Sequence, residues 1–256
     1  MYQGSGNKGF APGDILVALG LLSRIPVSVD PELAVTRAAT ATWAYPLVGA
    51  VLGGLAGLVG SILLELNLPS GMAAALALGV LVLLSGAMHE DGLADCADGL
   101  GGGHDRERRL EIMKDSRIGA FGAVALVIVL LARWAGLGSL APVGLFWPML
   151  AIGAVSRLPM ILAMYGMQPA RADGLSAGVG TPPPGSVLAA LGIGLAIAVL
   201  TLGGVGFLVL LIACLAPLPL FWLAQERIGG QTGDILGGSQ QLAEIAALAT
   251  LAAWSV

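Results

Sequence analysis

The chain is predicted to be an all-α, polytopic integral membrane protein of about seven transmembrane helices, preceded by one shorter interfacial or re-entrant helix. Hydrophobic residues make up 57% of its 256 residues and charged residues only 11%, against roughly 25% charged in soluble domains. Mean hydropathy is +0.89. The apolar runs are long enough for the ~20 residues one helix needs to cross a bilayer. They are continuously apolar, without the alternation of a transmembrane β-strand.

In chain order, Met1 to Phe10 reads as a polar lead-in. It has no basic segment followed by an apolar core and a small-residue cleavage site, so no removable signal peptide is expected. Gly13 to Ile25 is apolar but too short to span, which suits an interfacial or re-entrant helix. Membrane helices are expected at about 43–64, 72–89, 119–137, 144–164, 187–204, 206–224 and 236–254. Pro46, Pro148, Pro159, Pro217 and Pro219 lie in or beside them, where they bend helices or free carbonyls. Thr181-Pro-Pro-Pro-Gly185 is a rigid break. The 39 glycines suit close helix packing, because lipid gives helices no hydrophobic reason to associate. Cys96 and Cys214 form no metal-binding pattern and are expected to be unpaired small residues. Residues 1–256 are expected to be one membrane domain, with a catalytic segment at 90–118.

If these helices alternate, residues 1–42, 90–118, 165–186 and 225–235 share one side. They hold Lys8, Arg24, Arg37, Arg106, Arg108, Arg109, Lys114, Arg117, Arg171 and Arg227, ten of the twelve basic residues. The opposite connections hold none, so the basic side is cytoplasmic by the positive-inside rule. Arg133, Arg157 and Glu244 fall inside helices, where each charge needs a partner or a polar cavity.

Charge is concentrated in Glu90 to Arg117, which carries thirteen of the 28 charged residues. Asp91, Asp95 and Asp98 are spaced i, i+4, i+7, so a helix continuing past His89 carries them on one face. Like charges at that spacing repel, and a divalent cation relieves the repulsion. Carboxylates without nearby Cys or paired His point to Mg²⁺ or Mn²⁺. Glu111 and Asp115 form a second acidic pair on a helix starting near Asp105, and both faces could converge on one or two metals. Against this, Asp-Gly pairs also make ordinary solvated turns. His89 and His104 are expected to be satisfied polar residues, not ligands.

Interleaved with the acids are Arg106, Arg108, Arg109, Lys114 and Arg117. Metal-binding carboxylates beside guanidinium groups suit phosphoanhydride chemistry, although topology alone accounts for several of these cations. Candidate catalytic residues are Asp91, Asp95, Asp98 and Asp115; candidate metal ligands are Asp91, Asp95, Asp98, Glu111 and Asp115. Candidate substrate-binding residues are Arg109, Lys114, Ser116, Arg117 and Asp234. Asp234, in Gly229-Gly-Gln-Thr-Gly-Asp234, either caps the last helix or joins the site. The net charge of −4 gives no reason to expect a nucleic-acid partner.

His89-Glu-Asp-Gly-Leu-Ala-Asp95, Ala97-Asp-Gly-Leu100 and Glu107-Arg-Arg-Leu-Glu-Ile-Met-Lys-Asp-Ser-Arg-Ile-Gly-Ala-Phe-Gly122 together resemble the cobalamin synthase family, also described as adenosylcobinamide-GDP ribazoletransferase. Ser23-Arg-Ile-Pro26, Tyr45-Pro-Leu-Val-Gly49 and Gly233-Asp-Ile-Leu-Gly237 extend the resemblance over nearly the whole chain. Two positions depart from the family pattern: Glu90 stands where an apolar residue is expected, and Cys96 where Thr is expected. The resemblance implies Mg²⁺-dependent joining of adenosylcobinamide-GDP to α-ribazole or its 5′-phosphate, with release of GMP, at the bacterial cytoplasmic (inner) membrane. It also implies that Asp91, Asp95 and Asp98 serve metal and diphosphate, supported by Glu111 and Asp115. Partners are then these two small molecules and the bilayer, with homo-oligomerisation left open.

Two other readings compete. A CDP-alcohol phosphotransferase-like lipid synthase would carry Ala-Arg soon after the Asp-Gly, whereas Asp98-Gly99 is followed by Leu-Gly-Gly-Gly. A cation transporter would place acids near the bilayer midplane and repeat them in two halves; here they form one cluster at an edge.

Overall fold

The computed structural model describes residues 9–254; most of the expected polar lead-in lies outside them. Helix α1 (Gly13–Leu22) is ten residues long, too short to span. Helix α2 (Pro31–Ala41) lies in a stretch read from sequence only as a connection. Asp30 caps it, accepting from the backbone N–H groups of Glu32 and Leu33. A 3₁₀ turn joins α2 to α3 (Tyr45–Glu65). The chain continues through α4 (Ser70–Ser85), α5 (Met88–Gly102), α6 (Arg106–Ile112), α7 (Ala120–Ser139), α8 (Phe146–Val155), α9 (Leu158–Gly166) and α10 (Leu175–Val179). It closes with α11 (Pro184–Leu202), α12 (Val205–Leu215), α13 (Leu218–Ile228) and α14 (Gly233–Trp254). Among the described residues the one β-type pairing outside helices is a bridge between Pro169 and Gln231.

All seven expected spans are helical. Among the described residues five stretches are long and apolar enough to cross a membrane by themselves: Pro31–Glu65, Ala120–Ser139, Phe146–Gly166, Pro184–Leu202 and Val205–Ile228. Helices α4 and α5 pass only as a pair, bent by 87°. The bend falls at Gly86 and Ala87, both with positive φ; Gly86 tolerates this conformation and also makes room for Arg24, whose side chain lies against it. We read α5 as leaving the course of α4. The seventh segment, α14, is too polar to pass because Gln240, Gln241 and Glu244 lie along it. All three are buried, since α14 packs centrally against α5, α7, α8, α9, α12 and α13.

Prolines open helices here instead of kinking their middles. Pro46, Pro148, Pro159 and Pro219 sit in first turns, where a missing N–H costs nothing. Pro159 and Pro217 thereby mark the breaks that divide two expected spans into α8/α9 and α12/α13. Glycine does the packing: α3 carries Gly49, Gly53 and Gly57 on one stripe. A methyl at any of these would strike the backbone of α8, at Gly153, Met149 and Leu145 respectively. Backbone approach of this kind is how helices associate in lipid.

Candidate active site

Three polar connections meet on one face, as their shared sidedness in sequence requires. Lys114 pairs with Asp173 at 2.5 Å. Arg106 donates to the carbonyls of Ile228 and Ala170, and Arg227 donates to that of Leu100. Arg171 reaches Asp234 at 3.4 Å. The 90–118, 165–186 and 225–235 segments are thus tied together directly.

Helix α5 carries Asp91, Asp95 and Asp98 as the spacing predicts. It crosses the start of α14 at glycine: Gly92 lies against Asp234 and Gly237, and a side chain there would meet backbone. This contact places Asp234 within electrostatic reach of Asp91 and Asp95. Burial, then the charges of Asp91, Asp234 and Asp98, push the Asp95 carboxyl up to about 7, with Arg171 opposing. Among the described residues the side chains of Asp91 and Asp95 accept no hydrogen bond and form no ion pair.

The predicted residues do not all converge. Asp98 turns to the start of α7, where it accepts from the backbone N–H of Gly119 (2.7 Å) and Gly122 (2.9 Å). A Cβ at either glycine would collide with its carboxylate, which explains the glycine spacing in Gly119-Ala-Phe-Gly122. Glu111 pairs with Arg108 at the surface. Asp115 lies beyond the end of α6, so the expected Glu111/Asp115 helical pair does not form. Arg117 chelates Asp115 through Nε and Nη2 and holds its carboxyl down at about 2. Asp98, Asp115 and Arg117 line one depression; Asp91 and Asp234 line a different cavity. Ser116 is exposed. Arg109 touches the Arg227 carbonyl at 3.4 Å while its buried Nε has no partner. Among the described residues no three His, Cys, Asp or Glu side chains are gathered closely enough to hold a metal unaided.

Asp234 is not the cap of α14. Thr232 is: its Oγ1 accepts from the Ile235 N–H and donates to Asp234, leaving Asp234 to face the α5 carboxylates. Sequence reasoning missed Arg171 and Arg24 as site residues. Arg171 is half-buried with Nη1 unpartnered, and Arg24 lines a cavity of about 470 Å³ together with Ser23, Ser85 and Asp91. Sidedness pointed to both, and Arg24 lies in the Ser23-Arg-Ile-Pro26 motif as well. His89 also departs from expectation: it is 2% exposed and its Nε2 has no hydrogen-bond partner. Both cysteines are free, as expected.

Behind the carboxylates, Arg133 of α7 joins Glu90 of α5 (2.6 Å) to Glu244 of α14 (2.8 Å). Gln241 accepts from Arg133 and donates to Glu90; Gln240 links Glu244 to Ser156. Glu90 therefore has a use, as one of two counter-ions for a buried arginine. Among the described residues Arg157 pairs with no carboxylate; it donates to Gly153 O and Ser156 Oγ.

Residues 14–252 match the family described as Cobalamin-5-phosphate synthase. The chain is 43% identical over 245 residues to the adenosylcobinamide-GDP ribazoletransferase of Bradyrhizobium diazoefficiens, covering 95% of this chain and 94% of that protein. It is 44% identical to the protein of the same name from Azorhizobium caulinodans (92% and 93% covered), and 42% to that of Allorhizobium ampelinum (93% and 96%). No solved structure matches.

Proposed function

The chain belongs to the cobalamin-5-phosphate synthase family, and on that premise we propose that it transfers the cobinamide-phosphate portion of adenosylcobinamide-GDP to α-ribazole or its 5′-phosphate, releasing GMP. The observation that carries the site assignment is the trio Asp91, Asp95 and Asp234. Among the described residues two of these carboxylates have no hydrogen-bond or ion-pair partner, and all three sit where the glycine crossing of α5 and α14 concentrates negative charge.

Magnesium fits this donor set, which is all hard oxygen. Mg²⁺ usually takes one or two carboxylates and completes its shell with water and substrate phosphate, so the lack of a closed protein cage suits it. When bound, it supplies charge neutralisation for the diphosphate and the departing phosphate. Asp91 and Asp234 would hold it. Arg171, with a free Nη1, and Arg24 are the cations placed to bind diphosphate oxygens. An acceptor hydroxyl oxygen attacks the phosphorus bonded to cobinamide. A new P–O bond forms, the bridging P–O bond breaks, and its electron pair leaves with GMP. The hydroxyl proton passes to a carboxylate. Asp98 and Asp115 were candidates for that step, but their oxygens are engaged by Gly119, Gly122 and Arg117. Asp91 and Asp95 retain free oxygens, and Asp95 is our choice.

The protein is multi-pass in the membrane, and its basic connections support a site on the cytoplasmic side of the bacterial inner membrane. Purified protein incubated with adenosylcobinamide-GDP, α-ribazole and Mg²⁺ should release GMP in step with cobalamin formation. GMP release that is independent of α-ribazole would contradict transfer.

A further inference from the structure

We propose that the apolar cavity beside Asp91 receives the aromatic base of the azole nucleoside acceptor. This rests on the transfer reading above and assigns one half of the site to one substrate. The cavity measures about 300 Å³ and is lined by residues of α1, α3, α5, α9, α10 and α14. Its walls include Leu22, Tyr45, Met88, Met160 and Met164. Thioethers adapt to irregular shapes and make favourable contacts with aromatic rings, so three of them around one space suit a flat ring system.

The polar groups choose between the available bases. A guanine edge presents several donors and acceptors, and each would need a partner once buried. The Ser176 hydroxyl of the cavity is already donated to Gln231 at 2.5 Å. The Asp91 and Asp234 carboxylates in its wall are assigned to metal above, and among the described residues the Tyr45 hydroxyl makes no hydrogen bond; so sparse a polar lining matches a ring that is apolar over most of its edge. The charged groups choose the orientation. A second cavity, polar and containing Arg24, shares Leu21, Met88, Asp91 and Leu175 with the first. A nucleoside with its base in the apolar chamber has its sugar at that shared rim, against Asp91. The attacking hydroxyl then meets the diphosphate from the opposite side to GMP.

Met160→Trp fills the chamber and Leu175→Trp narrows its mouth; Leu175 is exposed, so its substitution leaves the core untouched. In both variants the KM for α-ribazole should rise at least tenfold; in Met160→Trp, where the side chain lines the apolar chamber and not the Arg24 cavity, the KM for adenosylcobinamide-GDP should stay within twofold. An α-riboside of single-ring imidazole should suffer a smaller penalty. Unchanged acceptor KM, or a donor KM that rises instead, overturns the assignment. Equilibrium dialysis of labelled α-ribazole against wild type and Leu175→Trp reads the chamber without turnover: lost binding supports it and equal binding overturns it. Absence of GMP release by wild type alongside such lost binding would refute the transfer and leave the chamber standing.

Discussion

Asp95 and Asp98 lie one helical turn apart on α5 and meet opposite surroundings. Asp98 holds the N-cap amide of α7 and one amide of its first turn, the work of a helix cap, so Asp98→Ala should lower stability by about 1–2 kcal/mol, measured by thermal unfolding in detergent. Asp95 has no protein partner and sits among like charges. Asp95→Asn should leave unfolding unchanged and reduce GMP release by at least ~10²-fold, the lower end for losing a proton-transfer group. Normal turnover at ordinary Mg²⁺ would end its assignment. The raised Asp95 carboxyl also sets a pH dependence. Below about 7 the carboxyl is protonated and cannot accept the hydroxyl proton. GMP release at saturating Mg²⁺ should therefore fall as pH drops from 8 to 6; a flat response would remove Asp95 as the base. The i, i+4, i+7 spacing made the acidic face legible in sequence. Which carboxylate is spoken for was not legible, because Gly119 and Gly122 reach Asp98 only after α7 has docked.

At the scale of elements, α5, α7 and α14 are fastened by the buried Arg133 with Glu90 and Glu244. Removing one member of such a group strands buried charge and costs about 3–5 kcal/mol, whereas replacing the whole group by apolar residues is often neutral. Arg133→Met should therefore destabilise by about that amount, and adding Glu90→Leu and Glu244→Leu should restore most of the loss in the same melt. A triple variant no more stable than Arg133→Met would show that the ions are needed individually. Each charge was conspicuous in sequence as an ion within an apolar stretch. Their pairing was not, because Glu90 and Arg133 are 43 residues apart and Arg133 and Glu244 are 111 apart. The break between α8 and α9 was half-visible: Pro159 announced a disturbance but not that Arg157 would sit inside it.

Over the whole molecule, hydropathy located every helix that carries the membrane fold, and the charge asymmetry placed the three polar connections on one face. What it missed is α2, whose weak apolar character resembled a connection, and the 87° departure of α5, which depends on backbone conformation at Gly86 and Ala87. The sidedness makes a direct prediction: Ser116→Cys, on the polar face, and Asn67→Cys, between α3 and α4, should be labelled by an impermeant thiol reagent from opposite sides of the membrane. Labelling of both from one side would refute the topology. One feature governs how this protein must be made. A charged residue at the centre of a lone membrane helix costs about 2.5–3.5 kcal/mol on insertion, and α14 brings Glu244 together with Gln240 and Gln241. It enters lipid favourably only once Arg133 is waiting to receive it. Biogenesis thus has a built-in order: the earlier helices assemble a polar socket, the last helix closes it, and the same closure delivers Asp234 to the carboxylates of α5. A chain stalled before that final docking lacks both the packing of its last helix and one carboxylate of the site.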